Sequence, residues 1–447
     1  MIQIEKKEKI REKREKRRAV SRTWIKFFLL FSLLISNFSF VSAQDFLYNR
    51  RGDDLTIKVS VIGPGDELYF WWGHIGLVVQ DNITGQAFFF DWGVFSFDND
   101  NFFLDFAFGR PIYSCMVSTI ESSFNVYRRT NRDIILYTLD IPAERKEAVL
   151  QFAENNMLPE NRDYRYHHFD DNCATRIRDI IDYALEGQFK AKYGNMPSRF
   201  TLRQHVMRHT WFNPFIDWIL NFWMGQVIDR PITVWDDMFL PSEIGKLINE
   251  FHYIGPDGRE RQLVSSVEIV NSSVSRPIVL DEPRLQWPVN LLATLIFAII
   301  LVFLYYRTGE TKAFRVFLGL LQSLFGIIFG IAGSMLFFMM IFTDHDYTFQ
   351  NSNIIFVNPI FLALVPLGII LAYSRNEKKL YNSVKYSKVL WVYVFFGGLI
   401  TSIIKHFPIF YQQNQVTQVM VIPLALVMFF LLTRLGKRLG KVGFTRL

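Results

Sequence analysis

The chain is too long for one compact domain and too apolar for a wholly soluble protein, since it has 447 residues of which 50% are hydrophobic. We therefore expect membrane-spanning segments. Its net charge of +7 would suit a nucleic-acid-binding protein, but residues 1–26 contain 11 Lys or Arg against 4 Asp or Glu and account for the whole excess. The basic charge therefore indicates targeting, and no nucleic-acid partner is expected.

The N-terminus has the pattern of a secretory signal. The basic segment leads into an apolar run that ends in the small residues Val41, Ser42 and Ala43, which suits signal peptidase. We predict a signal peptide over residues 1–43, with an uncleaved membrane anchor as the alternative. Either of them exports the segment that follows.

Residues 44–287 are long enough to form a domain with its own core, and their pattern is mixed. Alternating or continuous apolar runs predict strands at 55–62, 68–79, 86–92, 112–117 and 134–139. Pro142 opens a helix that ends near Asn156, and a second helix begins at Cys173. The expected fold class of this domain is α+β.

The helix that begins at Cys173 carries the first candidate for chemistry. Asn172 is a good N-cap, and the apolar residues four, seven and eight positions after Cys173 place the thiol on the buried face. The helix dipole, together with Arg176 and Arg178, should favour the thiolate. The alternatives are a small buried cysteine without a chemical role, or a structural disulfide to Cys115, the other cysteine of the chain.

His74 supplies the second half of a candidate nucleophile. It lies in an apolar strand beside two glycines, where an isolated histidine would more often be a packed core residue. Joined with Cys173, it gives the imidazole and thiol that a nucleophilic pair needs. Backbone N–H groups at the helix start, around Asn172 and Cys173, would hold an oxyanion.

A third residue should orient the imidazole. Asp91 on the returning strand is the first candidate, because a four-residue hairpin turn would place it opposite Gly76, beside the histidine, whereas a five-residue turn would not. His167 and His168, in the segment that leads to the cysteine, are the alternatives.

Two later features have ordinary structural interpretations. His205 and His209 have the spacing of a helical metal pair, but no Glu follows the first histidine, so we predict a solvated helix face and no metal site. The aromatic run over residues 211–223 predicts either core packing or contact with the membrane interface.

Apolar stretches long enough, or nearly so, to cross a membrane follow at 289–306, 316–342, 354–373, 389–404 and 416–433. Alternate loops are rich in Lys and Arg, which places the C-terminus in the cytoplasm and residues 44–287 outside. Asp344, His345 and Asp346 lie in an outer loop. They would bind a lipid head group, support the exported domain, or simply be the polar residues that are common in exposed loops.

Four runs of the chain together resemble one family. The runs FWWGHIGLVVQD, FDWGVFSFDNDNFFLDFAFG, ENRDYRYHHFDDNCATRIRDIID and MGQVIDRPIT are similar to the periplasmic domain of the Lnb-type lipoprotein N-acyltransferases. The spans resemble that family's membrane half. The resemblance implies a permuted papain-like (NlpC/P60-like) α+β domain over residues 44–287, then an all-α five-helix transmembrane domain over residues 288–447 with a cytoplasmic C-terminus.

The same resemblance implies an activity. His74 and Cys173 would be the catalytic pair of an inner-membrane enzyme that needs no cofactor and no metal. Cys173 would take an acyl chain from a membrane phospholipid as a thioester and pass it to the N-terminal amine of a diacylated lipoprotein. The implied partners are thus the phospholipid donor, the lipoprotein acceptor and the lipid bilayer.

Some positions depart from the family's pattern. Trp72 precedes the glycine before His74, and Asp91-Trp92 stands where the family has other aromatic residues, so the orienting residue stays open. Four side chains are candidates to line the substrate site: Trp72, Trp92, His167 and His168.

Two other functions would use the same residues. A membrane-anchored NlpC/P60-like amidase or peptidase would pass the acyl group to water and cut the cell wall. A non-enzymatic envelope assembly protein would need Cys173 only for its structure.

Overall fold

The computed structural model of the protein describes residues 50–95 and 102–444. The predicted signal peptide lies outside these residues. The described chain has a mixed α/β N-terminal half with an antiparallel sheet, followed by a helical C-terminal half with five candidate membrane spans. This confirms the predicted fold class and the membrane half.

The large sheet organises the N-terminal half. Its strands are β1 (Leu55–Ile62), β2 (His74–Asp81), β3 (Ala87–Val94), β4 (Ile112–Thr119), β5 (Ile134–Leu139), β6 (Asp163–Arg165) and β9 (Val264–Asn271). Their spatial order is β6-β4-β3-β2-β1-β5-β9, and each neighbouring pair is antiparallel. A separate hairpin consists of β7 (His252–Ile254) and β8 (Glu260–Gln262).

The helices of the N-terminal half are α1 (Phe102–Ala107), α2 (Ile120–Arg129), α3 (Ala143–Asn155), α4 (Cys173–Ala184), α5 (Gln188–Tyr193), α6 (Leu202–Thr210), α7 (Pro214–Trp223), α8 (Val234–Asp237) and α9 (Pro241–Glu250). Those of the membrane half are α10 (Trp287–Thr308), α11 (Lys312–Phe342), α12 (Leu364–Tyr373), α13 (Glu377–Ile404) and α14 (Gln415–Phe444). The third candidate span covers Ser352–Tyr373, because short 3-10 segments precede α12 within it.

The strand predicted over residues 68–79 is shorter than expected, because β2 begins only at His74. Leu68–Phe70 form a 3-10 turn, and Gly73 has φ of +81°, a left-handed conformation that interrupts an extended chain. A Cβ atom on Gly73 would also lie 2.8 Å from the carbonyl oxygen of Ile62. His74 is therefore the first residue of its strand and lies at one end of the sheet.

The two faces of the sheet are covered by different helices. On one face, Ile75, Leu77 and Val79 pack with the buried residues of α4. On the other face, Val78 and Phe89 pack with Phe124 of α2. Each fully buried aliphatic side chain contributes about 1.5–3 kcal/mol, so burial on both faces fixes the strand that carries His74.

The aromatic run at residues 211–223 joins the two halves of the molecule. Phe222 of α7 is buried within the core of the membrane helices, and the Trp218 indole donates to the Thr417 hydroxyl of α14 at 3.3 Å. Where α7 ends, Asn351 and Asn353 donate to its carbonyl oxygens at 2.8–3.0 Å. The run thus packs against the membrane half and connects it to the exported half.

We expect Asn351→Ala to destabilise the folded protein by about 1–3 kcal/mol, because it leaves the Trp223 carbonyl without its side-chain donor and removes one of the two donors to the buried Phe222 carbonyl. The measurement is thermal unfolding of the full-length protein in detergent. Asn125→Ala, at an exposed position of α2, is the control and should change stability by less than about 0.5 kcal/mol. Equal unfolding temperatures for the two variants would contradict this role of Asn351.

Candidate active site

The hairpin of β2 and β3 brings His74 and Asp91 together. Leu77 pairs with Phe90, and the Asp81 amide bonds the carbonyl of Gln86 across a four-residue turn. Continuing this register places Asp91 opposite Gly76, on the same face as His74. The Nε2 atom of His74 lies 2.9 Å from Oδ1 of Asp91.

A β-bulge next to Asp91 shapes this end of the hairpin. Asp91 pairs with Met116, but Val94 pairs with Ser114, so β3 holds one extra residue between these two pairs. The Gly93 amide donates to Oδ1 of Asp91 at 2.6 Å, which fixes the carboxylate. No feature of the sequence alone indicated this bulge.

Gly93 also makes room for the imidazole. A Cβ atom there would lie 2.5 Å from Cε1 of His74, closer than real Cβ contacts allow. We therefore expect Gly93→Ala to displace the ring and to slow iodoacetamide alkylation of Cys173 at least about tenfold, with little change in the circular dichroism spectrum.

Gly258→Ala is the matched control for this substitution. It has φ of +75° in the β7–β8 turn and open space around its Cα, so its substitution costs backbone strain, which Gly93→Ala does not, and leaves the imidazole untouched. An unchanged alkylation rate in Gly93→Ala would show that the ring tolerates the added methyl group.

Cys173 is the first residue of α4 and lies beside the imidazole. The side chain of Asn172 caps the helix by accepting from the amides of Ala174 and Thr175 at 2.8 and 2.9 Å, as the sequence predicted. The thiol interacts with His74 by charge and by hydrogen bonding. Because Nε2 of His74 is bonded to Asp91, Nδ1 is the ring nitrogen left for the thiol.

The helix cap limits what Asn172 does. Its amide nitrogen donates to the carbonyls of His168 and Phe239, and its oxygen accepts from the cap, so the side chain is fully used in structure. Among the described residues, no acceptor bonds the backbone N–H of Cys173. The backbone N–H of Asn172 donates to the Thr175 hydroxyl at 2.8 Å, so of the two predicted oxyanion donors only the backbone N–H of Cys173 remains available.

The electrostatics of His74 follow from its neighbours. Burial by itself lowers the pKa of the ring, but the charge of Asp91, the charge of Cys173 and hydrogen bonds to both raise it to about 10. Burial raises the pKa of Asp91, and His74 with the Gly93 amide more than offsets this, so the pKa is lowered. At neutral pH the arrangement holds a cationic imidazole between a carboxylate and a sulfur.

Two residues that sequence reasoning missed complete the cluster. Arg132 is 1% exposed, and its guanidinium lies 5.2 Å from the centre of the Tyr127 ring. The Tyr127 hydroxyl interacts with Asp91, and burial together with that carboxylate raises the pKa of Tyr127. Both residues lie in the segment VYRRTNRD, which has the pattern of a solvent-exposed charged stretch. The sequence therefore contains no signal that either residue is buried beside the site.

The positive charge near the thiol has a different source from the one predicted. Arg176 pairs with Asp171 and stacks 4.2 Å from the centre of the Tyr164 ring, while Arg178 pairs with Asp179. These two arginines are therefore neutralised by neighbouring carboxylates. His74 and Arg132 are the cations whose charges couple to Cys173.

Trp92 does not line a substrate site, contrary to the prediction. It is 1% exposed, lies within the hydrophobic core, and donates from its indole to Asn156 at 3.2 Å. The Tyr164 hydroxyl donates to its backbone carbonyl. Trp92 lies on the same face of β3 as Phe88 and Phe90, so it packs in the core beneath the sheet and not in an open site.

The two rival histidines do not orient the imidazole. His167 accepts from the Asp170 amide through Nδ1 at 3.0 Å and bonds Asp346 through Nε2 at 2.9 Å. His168 packs edge-on against Trp72 at 4.8 Å between ring centres, and burial lowers its pKa to about 4. The Nε2 atom of His168 and the indole nitrogen of Trp72 are both buried and have no hydrogen-bond partner among the described residues.

Neither cysteine is in a disulfide, so that alternative is wrong. Cys115 lies in the sheet core with its sulfur 3.6 Å from that of Met157, and burial raises the pKa of its thiol. The solvated helix face predicted for His205 and His209 is also wrong. These residues are 1% and 4% exposed, and they bond Asp237 and the His205 carbonyl, respectively.

An outer loop of the membrane half holds the segment that leads to Cys173. Asp344 accepts from Arg110 and Arg165 at 2.8 and 2.7 Å, and Asp346 bonds His167. These exposed ion pairs add little stability, but they fix the position of the segment relative to the membrane helices. Of the roles considered for this loop, the structure favours support of the exported domain.

Comparison with known families agrees with this architecture. Residues 44–208 match the Lnb N-terminal periplasmic domain, and residues 282–436 match the Lnb transmembrane domain. No curated protein and no solved structure matches the chain. The two matches lie in the expected order and include the pair His74 and Cys173 in the first domain. The chain is therefore an Lnb-type protein, a membership that suggests a membrane protein of lipoprotein processing.

Proposed function

We propose that this protein is a lipoprotein N-acyltransferase of the inner membrane, with Cys173 as the nucleophile, His74 as the proton carrier and Asp91 as the residue that orients the imidazole. The observation that carries the proposal is the contiguous row of carboxylate, imidazole and thiol at the start of α4, beside the outer loop of the membrane half. A thiol held there is within reach of substrates that are themselves anchored in a membrane.

The first half of the reaction acylates the thiol. The Cys173 sulfur attacks the carbonyl carbon of a phospholipid acyl ester, and the resulting oxyanion is stabilised by the backbone N–H of Cys173. The intermediate collapses to a thioester, and the His74 imidazolium gives its proton to the departing lysophospholipid alcohol. Asp91 stabilises the imidazolium through the 2.9 Å contact at Nε2.

The second half transfers the acyl chain. The N-terminal amine of a diacylated lipoprotein attacks the thioester carbonyl, now-neutral His74 accepts the proton from that amine, and the sulfur leaves. The product is an amide on the lipoprotein, and the enzyme returns to its starting state. Excluding water from the thioester favours the amine as acceptor. Two aromatic residues near the thiol help to exclude it. Tyr113 and Tyr166 stack at 4.1 Å between ring centres, and both interact with Cys173 by charge.

The decisive test is a covalent intermediate. Full-length protein in detergent is incubated with a diacyl phospholipid and without a lipoprotein, and the peptide that contains Cys173 is analysed by mass spectrometry. We expect an added fatty-acyl mass that hydroxylamine removes and that a diacylated lipopeptide discharges as an amide. A Cys173 peptide that stays unmodified with every membrane phospholipid would refute the proposal.

A cell-wall amidase or peptidase would use the same three side chains. Incubation with purified peptidoglycan separates the two functions, since a hydrolase releases soluble fragments and the proposed transferase releases none. The contacts of the Cys173 segment with the membrane loop favour a membrane-held substrate over the cell wall.

A further inference from the structure

A second candidate site lies away from the thiol, at the outer end of the membrane helices. It is a cavity between α7, the start of α10 and the start of α14, and its lining includes Asp217, Trp218, Trp287 and Asn414. None of the thiol-site residues described above lines it. Its walls combine indole rings with buried oxygen atoms, which is the composition of a binding site for a small polar group.

Asp217 brings to the cavity a buried carboxylate whose charge is only partly compensated. The residue is 2% exposed and accepts a hydrogen bond from the Thr210 hydroxyl. The nearby buried Arg203 is paired with Asp229 at 2.8 Å, and Asp217 itself forms no ion pair with any described residue. Burial raises the pKa of Asp217 to about 6, although hydrogen bonds from Thr210 and Asn221 and the charge of Arg203 act in the opposite direction, so the carboxylate is mostly ionised at neutral pH. A buried carboxylate of this kind favours a cationic ligand.

Asn414 independently indicates a ligand that donates hydrogen bonds. It is 4% exposed, and its amide nitrogen donates to the Ser352 hydroxyl at 3.0 Å and to the Asn353 side-chain oxygen at 2.9 Å. These two bonds fix which end of the amide carries the oxygen. That oxygen is buried and accepts no hydrogen bond from the described residues.

The position of the cavity selects the kind of ligand. Trp287 and Gln415 are the first residues of the first and last spans, so the cavity lies at the level of the lipid head groups on the side of the exported domain. An indole face favours a cation, and a primary ammonium group carries three N–H donors for the two acceptors. A water molecule would satisfy Asn414 but would leave Asp217 without an ion-pair partner.

We propose that this cavity binds the primary ammonium head group of a phospholipid in the outer leaflet, with the Asp217 carboxylate and the Asn414 oxygen as its acceptors. The site is separate from the proposed acyl transfer and does not depend on it. A quaternary ammonium lacks N–H donors and a glycerol head group lacks the positive charge, so neither satisfies both residues.

The test compares retention of three lipids by the full-length protein. The protein is purified in detergent with equal amounts of phosphatidylethanolamine, phosphatidylcholine and phosphatidylglycerol. Native mass spectrometry should then show that it preferentially retains phosphatidylethanolamine. We expect Asp217→Asn to weaken this retention at least about tenfold, the scale of one charge-assisted hydrogen bond. Asp281→Asn, an exposed acid on the same side of the membrane, is the matched control and should retain the lipid normally.

Thermal unfolding tests whether a loss of lipid retention in Asp217→Asn comes from a folding defect. Without added lipid, Asp217→Asn should be at least as stable as the native protein, because it removes a buried charge, yet phosphatidylethanolamine should no longer raise its unfolding temperature. Cys173→Ala should keep the full lipid effect, which separates this site from the thiol. Equal retention of the three lipids, or unchanged retention in Asp217→Asn, would overturn the proposal.

Discussion

Replacing Cys173 by Ala should abolish N-acylation, leaving the lipoproteins of a cell that has this variant as its only copy in the diacylated form. The loss should be at least about a thousandfold, because no other described nucleophile contacts His74 and the thioester cannot form. Mass spectra of lipoprotein N-terminal peptides measure it directly. Normal N-acylation in that strain would refute the proposal that Cys173 is the nucleophile.

Cys115→Ala is the control for this experiment. Its thiol is 1% exposed in the sheet core beside Met157, and it is not among the groups that act on the His74 imidazole. Removing one buried sulfur leaves a small cavity and costs about 1–2 kcal/mol, but it should not alter acylation. A comparable loss of N-acylation in both variants would indicate a defect of folding and not of chemistry.

The sequence was enough to predict the residues that depend on local pattern. The Asn172 cap, the buried stripe of α4 and the strand that carries His74 each follow from spacing along a few residues. The five spans follow from length and hydropathy alone. Such features are predictable because the interaction that fixes them lies within the element itself.

Features that depend on tertiary contacts were missed. Arg132 is buried because the Gly63 carbonyl and the Phe70 ring receive its guanidinium, and both belong to a segment more than sixty residues earlier in the chain. Trp92 is closed off because Asn156, more than sixty residues later in the chain, accepts from its indole within the core. The position of Arg176 in the helix predicts that its charge favours the thiolate, but Asp171 neutralises that charge. In each case the partner lies outside the local pattern.

The contacts between the two halves give the membrane helices a structural role in the proposed reaction. The segment before α4 is bound to Asp344 and Asp346 of the membrane loop, and the end of α7 is bound to Asn351 and Asn353. These contacts lie on both sides of the thiol in sequence. In the proposed reaction they would keep the start of α4 next to the outer loop of the membrane half, on the side from which membrane-anchored substrates would approach.

Asp91→Asn should reduce acyl transfer by a factor on the order of 10³ to 10⁴, the loss observed when the orienting aspartate of a serine-protease triad is made neutral. An amide keeps the size of the side chain but removes the charge that stabilises the imidazolium at 2.9 Å. Asp163→Asn, at a half-exposed carboxylate on β6, is the control and should transfer acyl chains at the native rate.

The same substitution should move the titration of His74 in a defined direction. In the native protein Asp91 and Cys173 raise the pKa of the ring to about 10, against the effect of burial. Without the carboxylate, burial opposes the charged form with less compensation, so the pKa must fall and the ring loses its proton at a lower pH. Deuterium exchange at the histidine Cε1–H, followed by mass spectrometry across pH, reports this midpoint for His74. A midpoint that stays at its native value, together with undiminished transfer, would show that Asp91 neither orients nor charges the imidazole.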